Sequence, residues 1–446
     1  KSDQNLVDAV AEFTTWQNGK SDADLQEILA VITTRLGFLF FAPANNAEIG
    51  IMFEVINNRG KPLSELEKIK NYLLYYAEKN GKPDLKTRVK SSWATILSNL
   101  SESGHTSNDD ENVFLRNCWL VFGSSSPKGS WEVYEQIRQA KPAAAPTEVI
   151  QADWKWLYEF VEFMENTSLT FKKLVTQRTV STNLERLRLQ RIHLQPSNAS
   201  ILPLLIALYA RELDGDTRIR TIALLEKLNF RYYGTGIASR SDTGQGHLFG
   251  LAFEYYHHFG KKHEGRLIDT EWLARELVHF VSTEANDQKF IQQLTLNKDE
   301  AGNYFNWGGL KFFLANYEDA LRSKAGESSI LKAALTPRDQ TAPNDFYHRE
   351  HILADQDFTA FNDQDERDIS KRRLGNFLLL RETTNIKVSN KRPEEKVALY
   401  FADRLHEPNT LMIRELKEWL DAAVAMCDQE WERKTQNYWR HVYARF

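Results

Sequence analysis

The sequence predicts a mainly α protein: a large helical body followed by a small strand-bearing module near the C-terminal end. Three observations carry this. Apolar residues recur at helical spacing through most of the chain, only two short runs read as strands, and the helical period lapses between about 345 and 393. At 446 residues the chain is also long enough for about three domains, or for one helical body with an appendage.

Taken in order, amphipathic segments are expected at 22–35, 46–58, 147–166, 201–213, 217–229, 271–283, 310–323 and 409–430. The helix after Ser64 has the clearest start. Ser64-Glu65-Leu66-Glu67 reads as a capping box, in which the Ser hydroxyl accepts from the backbone three residues on and Glu67 reaches back. Leu66, Ile69, Leu73 and Tyr76 then form its apolar stripe. The strand candidates are Gly37 to Ala42 and Phe377 to Leu380. Polar or Pro-rich stretches at 101–111, 124–130 and 140–147 read as loops inside a helical region. A stronger change of composition at 324–345 sets the expected boundary, giving a helical domain at 1–330 and a second domain at 331–446 with C-terminal helices, a stretch that Trp419, Trp431 and Trp439 are expected to pack onto the body.

Composition excludes several classes. With 57 basic against 61 acidic residues the formal charge is −4, so the chain is no histone-like binder, and any nucleic acid must be held by local charge. Two cysteines, Cys118 and Cys427, support neither a disulfide framework nor a Cys-based zinc site, and a reducing cytoplasm is the simplest compartment. The apolar run from Ile201 to Ala210 contains Pro203 and is too short to span a bilayer.

Chemistry concentrates at 347–400. Glu350-His351 precedes a short apolar segment, Asn376 opens the FLLL run, and Asn385 follows before a helix expected near Pro393, where Glu394 and Glu395 suit an N-terminus. Between 371 and 396 eight basic residues face three acidic ones, a local excess that a chain of net −4 makes informative. Lys371-Arg372-Arg373 reads either as a solvated cluster or as a contact to backbone phosphate. Lys391, beside Asn390, suits helix capping as well as a role at the site. Lys396 either meets a phosphate or faces solvent, with the phosphate reading preferred.

His257, His258 and His263 read as surface or packing residues. Tyr232, Tyr233 and Arg240 border a Gly-rich loop with no upstream strand, which leaves a phosphate cradle poorly supported.

The order of elements at 347–400 resembles the HNH, or ββα-metal, nuclease motif. Phosphodiester hydrolysis needs a water deprotonated near neutral pH, which suits His, and a hard cation held by oxygen ligands. The resemblance therefore implies His351 as general base, Glu350 and Asn385 as ligands to Mg2+ or Mn2+, and Asn376 as the residue fixing the loop that orients His351. Neighbours on a regular strand face opposite sides, so Glu350 joins His351 only where the strand ends or bulges, and His348 is a substitute ligand.

More narrowly, Tyr317-Glu318, Glu350-His351-Ile352, Leu374 to Leu380, Asn385, Ser389-Asn390-Lys391 and Lys396 resemble the HNH subfamily of GmrSD-type modification-dependent restriction enzymes, with Ala354 where their pattern has Pro. Phe53 to Ser64, followed by Lys70-Asn71, resembles the element closing the ParB-like nucleotide-binding domain of those enzymes. Their upstream D-G-Q-Q-R motif does not occur here, so the chain reads as the later portion of a longer protein. For Asn57 and Arg59 a helix C-terminus punctuated by Gly60 and Pro62 is the preferred reading. The resemblance implies a large helical body with a C-terminal ββα-metal (HNH) module. It implies cleavage of double-stranded foreign DNA, including modified DNA, in bacterial antiphage defence, with no membrane partner and a homo-oligomer left open. The rivals are an HNH nuclease acting on RNA or single strands as a toxin, and a degenerate HNH fold that only binds DNA.

Overall fold

The computed structural model describes residues 2–37, 62–140, 150–176, 182–295, 304, 307–335, 347–352, 374–391, 393–402 and 410–416. The elements are α1 (Ser2–Asn18), α2 (Asp22–Thr34), α3 (Glu65–Lys79), α4 (Pro83–Glu102), α5 (Asn108–Phe122), α6 (Val133–Ala140), α7 (Ile150–Thr176), α8 (Asn183–His193), α9 (Leu202–Arg211), α10 (Gly215–Asn229), α11 (Gln245–His258), β1 (Lys262–His263), β2 (Arg266–Leu267), α12 (Thr270–Glu284), α13 (Asp287–Thr295), α14 (Leu310–Ala325), α15 (Leu331–Leu335), β3 (Tyr347–His351), β4 (Phe377–Arg381), α16 (Glu382–Val388) and α17 (Pro393–Ala402). A last helix spans 411–416. The mainly α reading agrees with this architecture. Gly37 is described, but the rest of the strand expected at Gly37 to Ala42 lies outside the described residues, as do the segment 46–58 and Trp419, Trp431 and Trp439.

Local sequence accounts for the helix starts. The capping box at Ser64 is present, with the Ser64 hydroxyl accepting from Glu67 N at 3.0 Å. Ser21 with Asp24 and Ser107 with Asp110 form two further boxes. Once capped, α3 buries the predicted stripe of Leu66, Ile69, Leu73 and Tyr76. The helices from α3 to α12 close one apolar core, in which α4 lies along α7 and α9 packs on α11. Outside that core, α1 and α2 bury no described residue and expose Leu6, Val10 and Phe13. Among the described residues no helix is long and apolar enough to cross a membrane.

A second core runs from Tyr304 to Leu416 and includes Leu310 and Leu314 of α14, all four apolar residues of β4, and Ile413. Within this core α14 packs on β4. Polar and aromatic contacts join the two cores. Arg191 of α8 donates to Glu226 at 2.6 Å and to Asp319 of α14 at 3.1 Å, and also reaches Asn316. Trp307 donates its indole N–H to the Gly234 carbonyl at 2.7 Å, and the Phe230 and Phe312 rings lie 4.8 Å apart.

Candidate active site

β3 and β4 pair antiparallel in a regular register, with Glu350 opposite Leu378 and His351 opposite Phe377. Beyond the last pair the Ile352 amide donates to the Asn376 carbonyl at 2.9 Å. Asn376 is fully buried in the single 3-10 turn (Leu374–Asn376) that feeds β4. Its main chain thus ties down the residue after His351, and the His351 ring lies 4.7 Å from the Phe377 ring, half-buried.

The strand stays regular through His351, so side chains alternate across the sheet. His348 and Glu350 share one face. There the His348 Nε2 stands 3.7 Å from Glu382 of α16, and Glu350 meets α17. Tyr347, Arg349 and His351 share the other face, where Tyr347 joins the core built on α14 and α15. Lys311, in the first turn of α14, is near enough to Arg349 to feel its charge. Burial first, and Arg349 second, push the Lys311 ammonium down to about 8.

Two sequence expectations change here. Asn385 does precede a helix that begins at Pro393, α17, but it sits in the middle of a further short helix, α16, which follows β4 without a break. The lapse of helical period expected up to 393 is interrupted by this short helix. It is held against β3 and β4 by Thr384 and Val388, both buried. Lys396 neither faces solvent nor stands open to a phosphate. It is 1% exposed, and its ammonium donates to Glu350 Oε1 at 2.5 Å and to the His351 carbonyl at 2.7 Å. Burial raises the Glu350 carboxyl against the pull of that ammonium, and burial and then the Glu350 charge raise the Tyr400 phenol.

The remaining sequence-selected groups are quickly placed. Lys391 and Asn390 are exposed on the turn between α16 and α17, where Ser389 takes a φ of +42°, in the left-handed region that non-glycine residues rarely adopt. Lys371, Arg372, Arg373 and Ala354 lie outside the described residues, as do Phe53 to Lys61. Glu318 is structural: fully buried, it accepts from Leu411 N at 2.8 Å, Met412 N at 2.9 Å and Arg322 Nε at 2.7 Å. In the body, His257 packs with its Nε2 3.0 Å from the Phe122 carbonyl, and His258 stacks on His263. Tyr232 and Tyr233 form part of a π-helical turn (Phe230–Gly234), and Arg240 pairs with Asp242. A groove of about 760 Å³ on the body is lined by Trp156, Glu159 and Tyr256 among others, and of the selected residues only His257 borders it.

The donor set fits a hard cation only in part. Asn385 Oδ1 is buried with no hydrogen-bond partner among the described residues, and an amide oxygen is a donor type that a hard cation accepts. Glu350, by contrast, is engaged by Lys396. Among the described residues no group of three or more His, Cys, Asp or Glu side chains is arranged to hold a metal. Sequence reasoning missed Arg349 and Lys311; strand alternation from His351 points to Arg349, whereas Lys311 has no signal in the local sequence.

No curated protein matches the chain. Residues 284–430 match the family model of the GmrSD restriction endonucleases, C-terminal domain, and this stretch contains α14, β3, β4, α16 and α17. The stretch 284–430 is thus similar to the C-terminal domain of the GmrSD restriction endonucleases.

Proposed function

We propose that the C-terminal module is an HNH-type endonuclease that hydrolyses phosphodiester bonds of foreign double-stranded DNA, including modified DNA, in antiphage defence. One observation supports this most: His351 ends a regular strand whose next peptide is pinned by Asn376, with its imidazole half-exposed beside Phe377. In this reading His351 takes a proton from water, the resulting hydroxide attacks phosphorus, and the bond to the 3′ oxygen breaks; that oxygen takes a proton from solvent, leaving a 5′ phosphate and a 3′ hydroxyl. Asn385 Oδ1 is the oxygen through which the module would hold Mg2+ or Mn2+, which when bound offsets charge on the phosphate. Arg349 and Lys311, on the His351 side of β3, suit the approach of a DNA backbone. Lys391, exposed beside the module, suits the same role, and Lys371, Arg372 and Arg373 extend that proposal along the sequence.

The test uses modified and unmodified plasmid with Mg2+, Mn2+ or EDTA, beside His351→Ala and Asn385→Ala. Wild type is expected to cut with a divalent cation, His351→Ala to lose roughly 100-fold or more in rate, and EDTA to stop cleavage. Equal nicking by wild type and His351→Ala, or no nicking under any metal, refutes the assignment. Cleavage confined to RNA or single strands would replace the substrate and keep the chemistry.

A further inference from the structure

The Lys396 ammonium bridges a side chain and a main-chain atom of consecutive residues, Glu350 and His351. The peptide group between His351 and Ile352 is therefore gripped at both ends. Its carbonyl accepts from Lys396 at 2.7 Å and its N–H donates to the Asn376 carbonyl at 2.9 Å. Fixing that peptide plane fixes ψ of His351, and with the strand pairing on its other side little backbone freedom remains to the imidazole. A fully enclosed ammonium is costly unless its partners are well placed, and here a buried carboxylate supplies the opposite charge.

We propose that Lys396 is a positioning residue that clamps the peptide after His351, and that Glu350 serves as the anchor of Lys396, not as a metal ligand. This rests on the nuclease reading for its effect on rate, whereas the clamp itself is readable without any cleavage. The two alternatives for these side chains predict different behaviour. A Lys396 that contacted phosphate would govern DNA affinity and its salt dependence. A Glu350 that held a cation would govern metal affinity.

The experiment compares Lys396→Met, Lys396→Arg and Glu350→Gln in the full chain, by three readouts. Amide hydrogen exchange at Ile352 in metal-free protein reads the clamp directly. Plasmid cleavage at several salt concentrations separates kcat from KM, and calorimetry with Mn2+ alone reads metal affinity. Lys396→Met is expected to speed exchange at Ile352 and to lower kcat roughly 10- to 100-fold, as loss of an orienting partner does, with KM and its salt slope unchanged. Glu350→Gln, which keeps the volume and an acceptor, is expected to have the same effects in weaker form and to bind Mn2+ like wild type. Should Lys396→Met not fold, Lys396→Arg keeps the charge with altered donor geometry and is expected to speed exchange at Ile352 as well. Unchanged Ile352 exchange in the folded Lys396 variants overturns the clamp. A raised KM with a shallower salt slope returns Lys396 to phosphate, and weakened Mn2+ binding in Glu350→Gln returns Glu350 to the metal. Failure of the wild type to cleave refutes the nuclease reading while the exchange result still decides the clamp.

Discussion

Replacing Glu318 by Gln should unfasten the last described helix from α14. Glu318 is fully buried, and its two oxygens accept from the amides of Leu411 and Met412 and from Arg322 Nε. An amide side chain of the same size can keep only one oxygen. With that oxygen in the Oε1 place, where it serves Leu411 N and Arg322 Nε, the Met412 N–H faces an NH2 group instead. Losing a hydrogen bond to a charged acceptor costs about 1.5–3 kcal/mol, and a buried donor left without a partner costs about 1–3 kcal/mol. Because the carboxylate is wholly enclosed, solvent screening gives no relief, and we expect a loss of about 3–5 kcal/mol from the second core. Urea unfolding followed by tryptophan fluorescence and by far-UV circular dichroism would measure it, with hydrogen exchange at 411–416 reporting the release of the helix. A change below about 0.5 kcal/mol with those amides still protected would refute the argument, since additive surface effects reach that size without any buried bond.

Two further outcomes follow from the same contacts. Lys311 is pushed down to about 8, so its charged form opposes folding: the Lys311 contribution is full above the ordinary lysine value near 10.5 and is lost as pH falls through about 8. Lys311→Met should therefore gain stability at pH 7, about 1–2 kcal/mol once its partial exposure is discounted, and the gain should shrink towards pH 10; equal gains in urea unfolding at both values would contradict this. Arg191→Ala removes the cation shared by Glu226 and Asp319, which should weaken the join between the two cores by about 1–3 kcal/mol and separate their thermal transitions in calorimetry.

Much of this molecule was legible in the sequence because the deciding forces are local. Ser64 with Glu67 starts α3, and an apolar FLLL run with a turn before it makes β4. Strand alternation likewise anticipated that Glu350 and His351 face opposite sides. What escaped depends on distant partners. The run Glu382 to Val388 holds two threonines, a valine and an asparagine, poor helix formers, so packing on the strands and not propensity makes it helical and carries Asn385 with it. Lys396 followed two glutamates in a local basic excess and looked exposed, and only Glu350, far away along the chain, explains why its charge is enclosed. Tyr317-Glu318 was singled out in the sequence by resemblance alone, and the amides at 411 and 412 that Glu318 holds lie far along the chain.

The long reach of Glu318 bears on how the domain is made during synthesis. Its acceptors on α14 wait for amide donors that emerge more than ninety positions later, and Leu379 of β4 likewise waits for the Thr410 hydroxyl. At roughly 5–20 residues per second, the ribosome would leave α14 and the strand pair without this fastening for several seconds. The helical body, whose core closes by residue 285, can fold well before that. Birth order alone then delivers the C-terminal module after the body, already tethered to a folded partner.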